Sequence, residues 1–587
     1  GRWSGSFIYF PKLVGNALHN EIGQLFPEDT APFMKALLAG YKDDYYGNDK
    51  LYASMNVAGL AHVVAVSGMH VAFLVGVLQS LLGKNRRSSL ICICLVWLFV
   101  VMVGSPLSAI RAGIMISLLM LAPVLGRIND RATTLSFALA LILVTNPFSA
   151  GSVALQLSFG AVAGMFLFSQ PIYAYFSKKL SPPRIFRAMW NYIIATLSSS
   201  LAVTVFTFPL LAVHFGYITL LAPVMNILCL WAISLLFVGG FAVCAVGLVL
   251  PTPASWLAAV LSCLVRYIAF VVEYAAKLPI TALYMENKYA PAWLLTSYAL
   301  FIAYFLLRRK KKISVFAPSA LCLAMLCGVF ALTGRDMRSD TGTISVMDVG
   351  NGQCIAVTEG ESVVVIDCGS YGVTQNAGSM LSSYLRAGGR YDIDYLMLTH
   401  LHSDHTTGVV RLLNLMNVNT VIMPDNAEDT NGDDVLDDII AACEENGTNI
   451  VYITRDTEFT AGAIRLSVYE SSERGSRDES GIMSTVSIGD YDMLVTGDVE
   501  KVVERELVSS HDLTDTELLI VPHHGSKYST SDELLSELRP ETAVISTGYN
   551  RYGHPTKETL DKLNEYGVNV LRTDELGRIV LHVASGD

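Results

Sequence analysis

Nine stretches of nearly continuous apolar residues, recurring between positions 56 and 335, constrain this chain more than anything else in it. They fall at roughly 60–82, 90–125, 133–146, 153–176, 190–213, 217–250, 256–278, 292–307 and 315–333, with short basic segments between them. A helix needs about 20 residues to cross a hydrocarbon core of about 30 Å. The runs at 90–125 and 217–250 are long enough for one pass or two. The pattern predicts nine to eleven passes or partial passes and excludes a water-soluble enzyme as a description of the whole chain.

Basic clusters punctuate the runs: Lys84/Arg86/Arg87, Arg127/Arg131, Lys178/Lys179/Arg184/Arg187 and Arg308-Arg309-Lys310-Lys311-Lys312. Such clusters mark cytoplasmic loops. If Arg308–Lys312 is cytoplasmic and Ser314–Leu332 crosses once, everything after it lies outside the cytoplasm.

Charge changes abruptly near residue 340. From Asp340 onward the chain carries 42 of its 52 acidic residues but 16 of its 41 basic ones, a net −26 against +15 before that point. This divides the chain into a membrane-associated segment at 1–55, read as the end of a longer N-terminal region, a membrane domain at 56–335 and a soluble domain at 340–587. Seven of the ten cysteines precede residue 340, and Cys354, Cys368 and Cys443 make no disulfide framework.

Polar groups interrupt the apolar runs: His62, Ser67, His70, Arg111, Gln156, His214 and Asn226. An Arg at membrane depth costs at least about 2.5 kcal/mol on insertion scales and normally faces a partner or a water-filled path. Any one of these residues could bridge helices or reach an interface. As a set, His62, Ser67, His70, Arg111, Gln156 and Asn226 predict a polar pathway, with Arg111 a candidate contact for substrate phosphate.

Beyond Thr343 short β-rich runs alternate with helical segments, which predicts a two-sheet α/β sandwich. The strand Tyr395–Thr399 leads into Thr399-His400-Leu401-His402-Ser403-Asp404-His405, three imidazoles and a carboxylate within six positions. In an extended segment His400 and His402 point to the same side and can hold one ion, while Asp404 and His405, past the turn, reach a second. Asp367, Asp498 and the pair His523-His524 close other strands and are further ligand candidates. Alternation along a strand predicts that one of His523 and His524 is a ligand and that the other contacts the scissile phosphate. Asp498 is expected to bridge two ions. Imidazole with carboxylate suits Zn or Mn better than Ca or Mg.

These residues resemble the metallo-β-lactamase superfamily, in the branch attached to ComEC-type competence DNA channels. Gly59–His70, Gly104–Arg111, Asn146–Ser158 and His214–Asn226 are similar to blocks of that family's membrane domain. The resemblance implies a polytopic helical membrane domain followed by an αββα sandwich, with metal ligands His400, His402, Asp404, His405, Asp498, His523 and His524 for two divalent ions. Asp404, His523 and His554 are the expected catalytic residues, and Lys527 and Arg551 the expected phosphate contacts. The implied activity is import of single-stranded DNA across the cytoplasmic (inner) membrane during natural transformation, with an extracytoplasmic nuclease degrading the other strand. The implied partners are DNA, membrane lipid and other competence proteins, including a DNA receptor and an ATPase. No Gly-x-x-x-x-Gly-Lys-[Ser/Thr] phosphate loop occurs in the chain itself.

Two departures from the family pattern stand out. The usual Asp-Val-Gly-Gln-Gly-Asp is here Asp348-Val-Gly-Asn-Gly-Gln353, and residues 406–497 contain no histidine. The first metal site is therefore expected to hold only His400, His402 and Asp498. Two other readings stay open: a DNA channel whose metal domain is catalytically weak and serves binding or assembly, and a membrane-tethered metallophosphoesterase.

Overall fold

The computed structural model describes all residues except 1–9, 43–44, 46–48, 65–67, 84, 127–129, 180–185, 308–314, 339–340, 374, 426–434, 471–480, 514–515 and 585–587. Ser67, Lys84, Arg127, Arg184 and the basic run Arg308–Lys312 lie outside the described residues, as does most of the acidic stretch 425–438. The chain forms two compact units, residues 1–285 and 286–587.

The first unit is helical. Among the described residues of the whole chain, six helices are long and apolar enough to cross a membrane: Val153–Lys179, Arg187–Phe215, Ala222–Gly247, Pro251–Ala276, Ala290–Leu307 and Ala317–Met337. Gly68–Leu82, Leu107–Ala122 and Arg131–Thr145 are apolar but shorter. Six long helices and three shorter ones stand against the nine to eleven passes or partial passes expected from the sequence. The run at 217–250 supplies one pass, because its first residues form a strand, Tyr217–Thr219, antiparallel to Ala282–Tyr284. Large apolar side chains cover the outer faces of these helices, among them Trp256, Val260 and Phe270, as contact with lipid requires.

The core of this unit forms around a short helix, Ala31–Ala39, that carries no charge except Lys35 and buries Phe33, Met34, Leu37 and Leu38. Met225, Ile233, Phe237, Val96 and Phe99 pack in the same cluster. Part of the segment read as a membrane-associated N-terminus therefore lies inside the helical core.

The second unit holds the last two membrane helices and the soluble domain. The charge break at 340 marks a change of composition, while the packing break falls at Met285/Glu286. The helix pair Ala290–Leu307 and Phe316–Met337 is fastened to the sheet domain by Asn287, whose Nδ2 donates to Thr333 Oγ1 at 2.7 Å and to the Ala387 carbonyl at 2.8 Å. Lys288 and Tyr289 both reach Asp336, at 2.6 Å each, and Arg578 pairs with Glu286 at 2.5 Å.

Fourteen strands build two seven-stranded sheets. One runs in the order Ile579–Ala584, Thr341–Val346, Cys354–Glu359, Ser362–Cys368, Asp392–Met397, Asn417–Pro424, Asn449–Ile453. The other runs Asn569–Arg572, Thr542–Ile545, Leu518–Ile520, Tyr491–Val495, Met483–Ile488, Ile464–Tyr469, Thr457–Ala461. Ile355, Ile366, Leu466, Val486, Val495 and Ile520 fill the space between the sheets. Helices Ala377–Ala387, Val409–Leu415 and Val435–Asn446 cover the first sheet, and Lys501–Ser510, Asp532–Leu538 and Lys557–Glu565 the second. The result is an αββα sandwich. Thr457–Ala461 is an edge strand of alternating exposure.

Candidate metal centre

In each sheet one half is parallel: Ser362–Cys368 through Asn449–Ile453, and Tyr491–Val495 through Asn569–Arg572. Side chains just past the C-terminal ends of parallel strands gather at one edge. There Asp367 ends its strand, His400–His405 follow Met397, Asp498 follows Val495, and His523-His524 follow Ile520.

The loops meet backbone to backbone. A Cβ on Gly369 would lie 2.0 Å from the Asp404 carbonyl oxygen, and one on Gly352 would lie 2.7 Å from it. Only glycine admits that approach.

Asp404, His405, Asp498 and His524 each bring one ligand atom within 4.8 Å of the others. His405 Nε2 lies 3.2 Å from Asp498 Oδ1, and His524 Nε2 3.5 Å from Asp404 Oδ2. The other carboxylate oxygen faces a second group: Asp498 Oδ2 is 3.9 Å from His400 Nε2 and 3.8 Å from His523 Nε2. The His402 ring stands 4.7 Å from that of His400. Asp498 thus lies between two imidazole clusters. His523 occupies the side that the missing histidine of 406–497 was expected to leave open.

The His-His pair departs from the alternation expected of a strand. It sits in a tight turn, Pro522–Gly525, with both residues in the left-handed region (φ 51° and 54°). Both rings therefore reach the site, His524 toward Asp404 and His523 toward Asp498. Backbone strain of this sort costs of order 1–3 kcal/mol per residue and concentrates at functional sites.

Asp367 does not join the ligands. It too has a left-handed backbone, φ 55°, and it is wholly buried. Its carboxylate accepts from Gln353 Nε2 (2.8 Å), the Thr399 amide (2.7 Å), Thr399 Oγ1 (2.8 Å) and His405 Nδ1 (2.8 Å). His405 Nδ1 donates its proton there, which leaves Nε2 as the ring atom that faces the site and becomes the ligand atom once its own proton is displaced. His524 is set the same way by Nδ1 donating to the Ser546 carbonyl at 2.8 Å. His400 Nδ1 lies 3.0 Å from Thr399 Oγ1. Thr399 and Ser546 are supporting residues that the sequence reading missed, since a hydroxyl or a carbonyl has no metal-ligand signature.

The buried ring nitrogens His400 Nε2, His405 Nε2 and His524 Nε2 have no hydrogen-bond partner. Unmatched buried nitrogens aimed at carboxylates fit bound cations. The electrostatics agree. Burial pushes Asp498 up, but His405 and His524 overcome it and hold the acid well below the usual carboxylate range. Asp404, pushed up by burial and pulled down by His524 and His405, lies at about 2. Burial lowers His405 while Asp498 and Asp367 raise it further, and His524 is raised on balance by Asp498 and Asp404. His400 is held well below its ordinary value by burial and by His405.

His554 is half-buried, its ring 5.6 Å from that of His523. Burial, then His523, depress it. Lys527 and Arg551 are exposed, Lys527 Nζ lying 5.0 Å over the Tyr528 ring.

In the membrane unit Arg111 is 6 % exposed, its guanidinium carbon 5.7 Å over the Phe159 ring, and Nη2 lies 3.2 Å from where a Cβ on Gly68 would stand. His70 is buried with its ring 5.1 Å from that of Phe237. Asn226 donates to Ser200 Oγ at 2.7 Å, and Gln156 Oε1 lies 3.0 Å from His214 Nε2. His62 is exposed, Nδ1 3.1 Å from the Gly59 carbonyl. The polar residues thus occur as local pairs, with Arg111 set beside the helix start that carries His70.

Residues 37–312 match the family model of the competence protein, and residues 347–466 that of the metallo-beta-lactamase superfamily. ComE operon protein 3 of Bacillus subtilis (strain 168) is 27% identical over 580 residues, which cover 94% of this chain and 72% of the relative. Competence protein ComA of Neisseria gonorrhoeae is 24% identical over 561 residues, covering 91% and 72%. Among solved structures, PqqB of Methylobacterium extorquens aligns with a TM-score of 0.26 at 11% identity, over 39% of this chain and 86% of that one, too weak a likeness to carry an argument.

Proposed function

Because the chain belongs to the ComEC-type competence proteins, DNA-uptake proteins that join a competence membrane domain to a metallo-β-lactamase domain, we propose that it passes single-stranded DNA through the membrane unit while its metal centre cleaves the strand left outside. The membrane is the cytoplasmic one and the metal domain is extracytoplasmic. The observation that carries the nuclease reading is Asp498, with Oδ1 facing His405 and Oδ2 facing both His400 and His523.

A divalent metal belongs to this fold and to this donor set; two ions, Zn or Mn, would activate water and steady a phosphodiester for in-line attack. His400, His402 and His523 would hold a metal on one side, Asp404, His405 and His524 on the other, with Asp498 facing both groups. Asp367, Thr399 and the Ser546 carbonyl keep the imidazoles in the ligating tautomer. Neutral His554 offers substrate one donor and one acceptor nitrogen. Lys527 and Arg551 supply the nearby cations for the phosphates. In the membrane unit, Arg111 is the group suited to a passing phosphate, its charge buried against Phe159.

The test uses the full chain in lipid nanodiscs. With Mn or Zn it is expected to degrade linear DNA, and Asp498→Asn to lower the rate at least about 100-fold. Equal rates for the two proteins would remove the nuclease assignment. An Ala584→Cys variant that reacts with an impermeant reagent only in opened cells would remove the extracytoplasmic one.

A further inference from the structure

Exposed aromatic rings stand at the mouth of this centre, and the metal reading leaves them unused. Tyr549 is 90 % exposed and Tyr552 71 %, on the loop 547–555 that follows strand Thr542–Ile545. The loop is braced. Asn550 Nδ2 donates to the carbonyls of Gly548 (2.9 Å) and His554 (2.7 Å), while Oδ1 accepts the amides of Tyr552 (3.1 Å) and His554 (3.0 Å). Four bonds from one half-buried residue fix the backbone and leave both tyrosine rings in water.

The loop leads inward. The Tyr552 ring lies 5.9 Å from that of His554 with planes 31° apart, His554 lies 5.6 Å from His523, and His523 reaches Asp498. A third tyrosine arrives from the other sheet: Tyr371, 54 % exposed, whose amide donates to the Val349 carbonyl at 3.2 Å. The two loops touch, since a Cβ on Gly548 would lie 2.5 Å from Gly350 Cα.

Charge decides what such rings can recognise. The soluble half carries net −26, so a duplex, whose binding depends on neutralising its phosphates, is repelled except at the metal and at Arg551. A single strand offers its base faces. Base–aromatic stacking adds about 1–3 kcal/mol per base whatever the sequence, a gain that paired bases, stacked inside a duplex, do not offer to the rings.

Resting on the nuclease reading above, we infer that Tyr549 and Tyr552 on the Asn550-braced loop, with Tyr371 beside them, form a base-stacking platform that selects single-stranded nucleic acid for the metal centre. Arg551, between the two tyrosines, holds the backbone of the stacked strand. The platform seats unpaired nucleotides and hands the adjoining phosphodiester to Asp498 and its imidazoles.

The experiment uses the full chain in nanodiscs with Mn, and a phosphorothioate oligothymidylate of about 12 nucleotides carrying one 5-iodouracil. Irradiation is expected to crosslink the probe to peptides containing Tyr549, Tyr552 or Tyr371. The double variant Tyr549→Ala/Tyr552→Ala should bind the strand about tenfold more weakly and lose the preference for it over an abasic strand. The double phenylalanine variant should bind as the native chain does, because stacking needs the ring and not the hydroxyl. Crosslinks that map elsewhere, with the double alanine variant binding normally, overturn the platform and leave the DNA reading standing. Equal loss for normal and abasic strands overturns it as well, since the loop would then grip the backbone or a protein partner. A chain that binds no oligonucleotide at all removes both readings together.

Discussion

Asp367 accepts the Nδ1 proton of His405 at 2.8 Å, and neither side chain is exposed to solvent. That bond turns a strand-end carboxylate from a ligand candidate into the part that aims one. It also gives Gln353 a role: its carboxamide donates to Asp367 at 2.8 Å without adding charge. Asp367→Ala is therefore expected to lower metal affinity 10- to 100-fold while far-UV circular dichroism stays native. Unchanged affinity by calorimetric titration would count against the aiming role.

Metal binding should release protons. His405 and His524 are raised by their carboxylate neighbours, so they carry protons that a cation must displace, whereas Asp404 and Asp498 are lowered and already ionised. Affinity should accordingly fall as pH drops through the raised imidazole values, by about tenfold per pH unit for each proton displaced. Below those values the imidazolium form competes fully with the metal. Calorimetry in two buffers of different ionisation enthalpy measures the count, and a heat independent of buffer would contradict it.

Glu504 supports the segment after the His-His turn. Fully buried, it accepts the amides of Thr530 at 2.7 Å and Ser531 at 2.6 Å, and Thr530 has a left-handed backbone (φ 60°). Glu504→Ala leaves two buried amides without an acceptor, at about 1–3 kcal/mol each. A fall of several degrees in the melting temperature of the full chain is expected; a change under one degree would mean that the amides find other partners.

Gly68 matters for its missing side chain. A Cβ there stands 3.2 Å from Arg111 Nη2, so Gly68→Ala should be tolerated by a small shift and Gly68→Val should displace the guanidinium. Transformation frequency at matched membrane levels is expected to fall at least about tenfold for valine and little for alanine. Equal effects of the two would argue that the helix start, rather than Arg111, is what matters.

Much of this was legible in the chain itself. Strand periods and turn glycines gave nearly every element of the soluble half, and His400-x-His402-x-Asp404-His405 marked the centre because ligands a few residues apart need only local geometry. The rest depended on distance. That His523 and His524 share a left-handed turn cannot be read from a pair containing no glycine, so strand alternation was the natural and mistaken rule. Asp367 resembled a ligand until the fold brought His405 against it, 38 residues on in the chain. The charge break at 340 was visible, but the packing break at 285/286 depends on Asn287 meeting Ala387, a contact 100 residues apart.

That Asn287 contact, with Lys288, Tyr289 and Asp336 beside it, makes the last two membrane helices a mast instead of a leash. A metal-binding head on a flexible linker would sweep a hemisphere and meet any ligand within reach. On a mast the metal centre keeps one fixed height above the helix ends, and that distance becomes a ruler: under the proposed nuclease function, a strand has to be held at that elevation to meet Asp498.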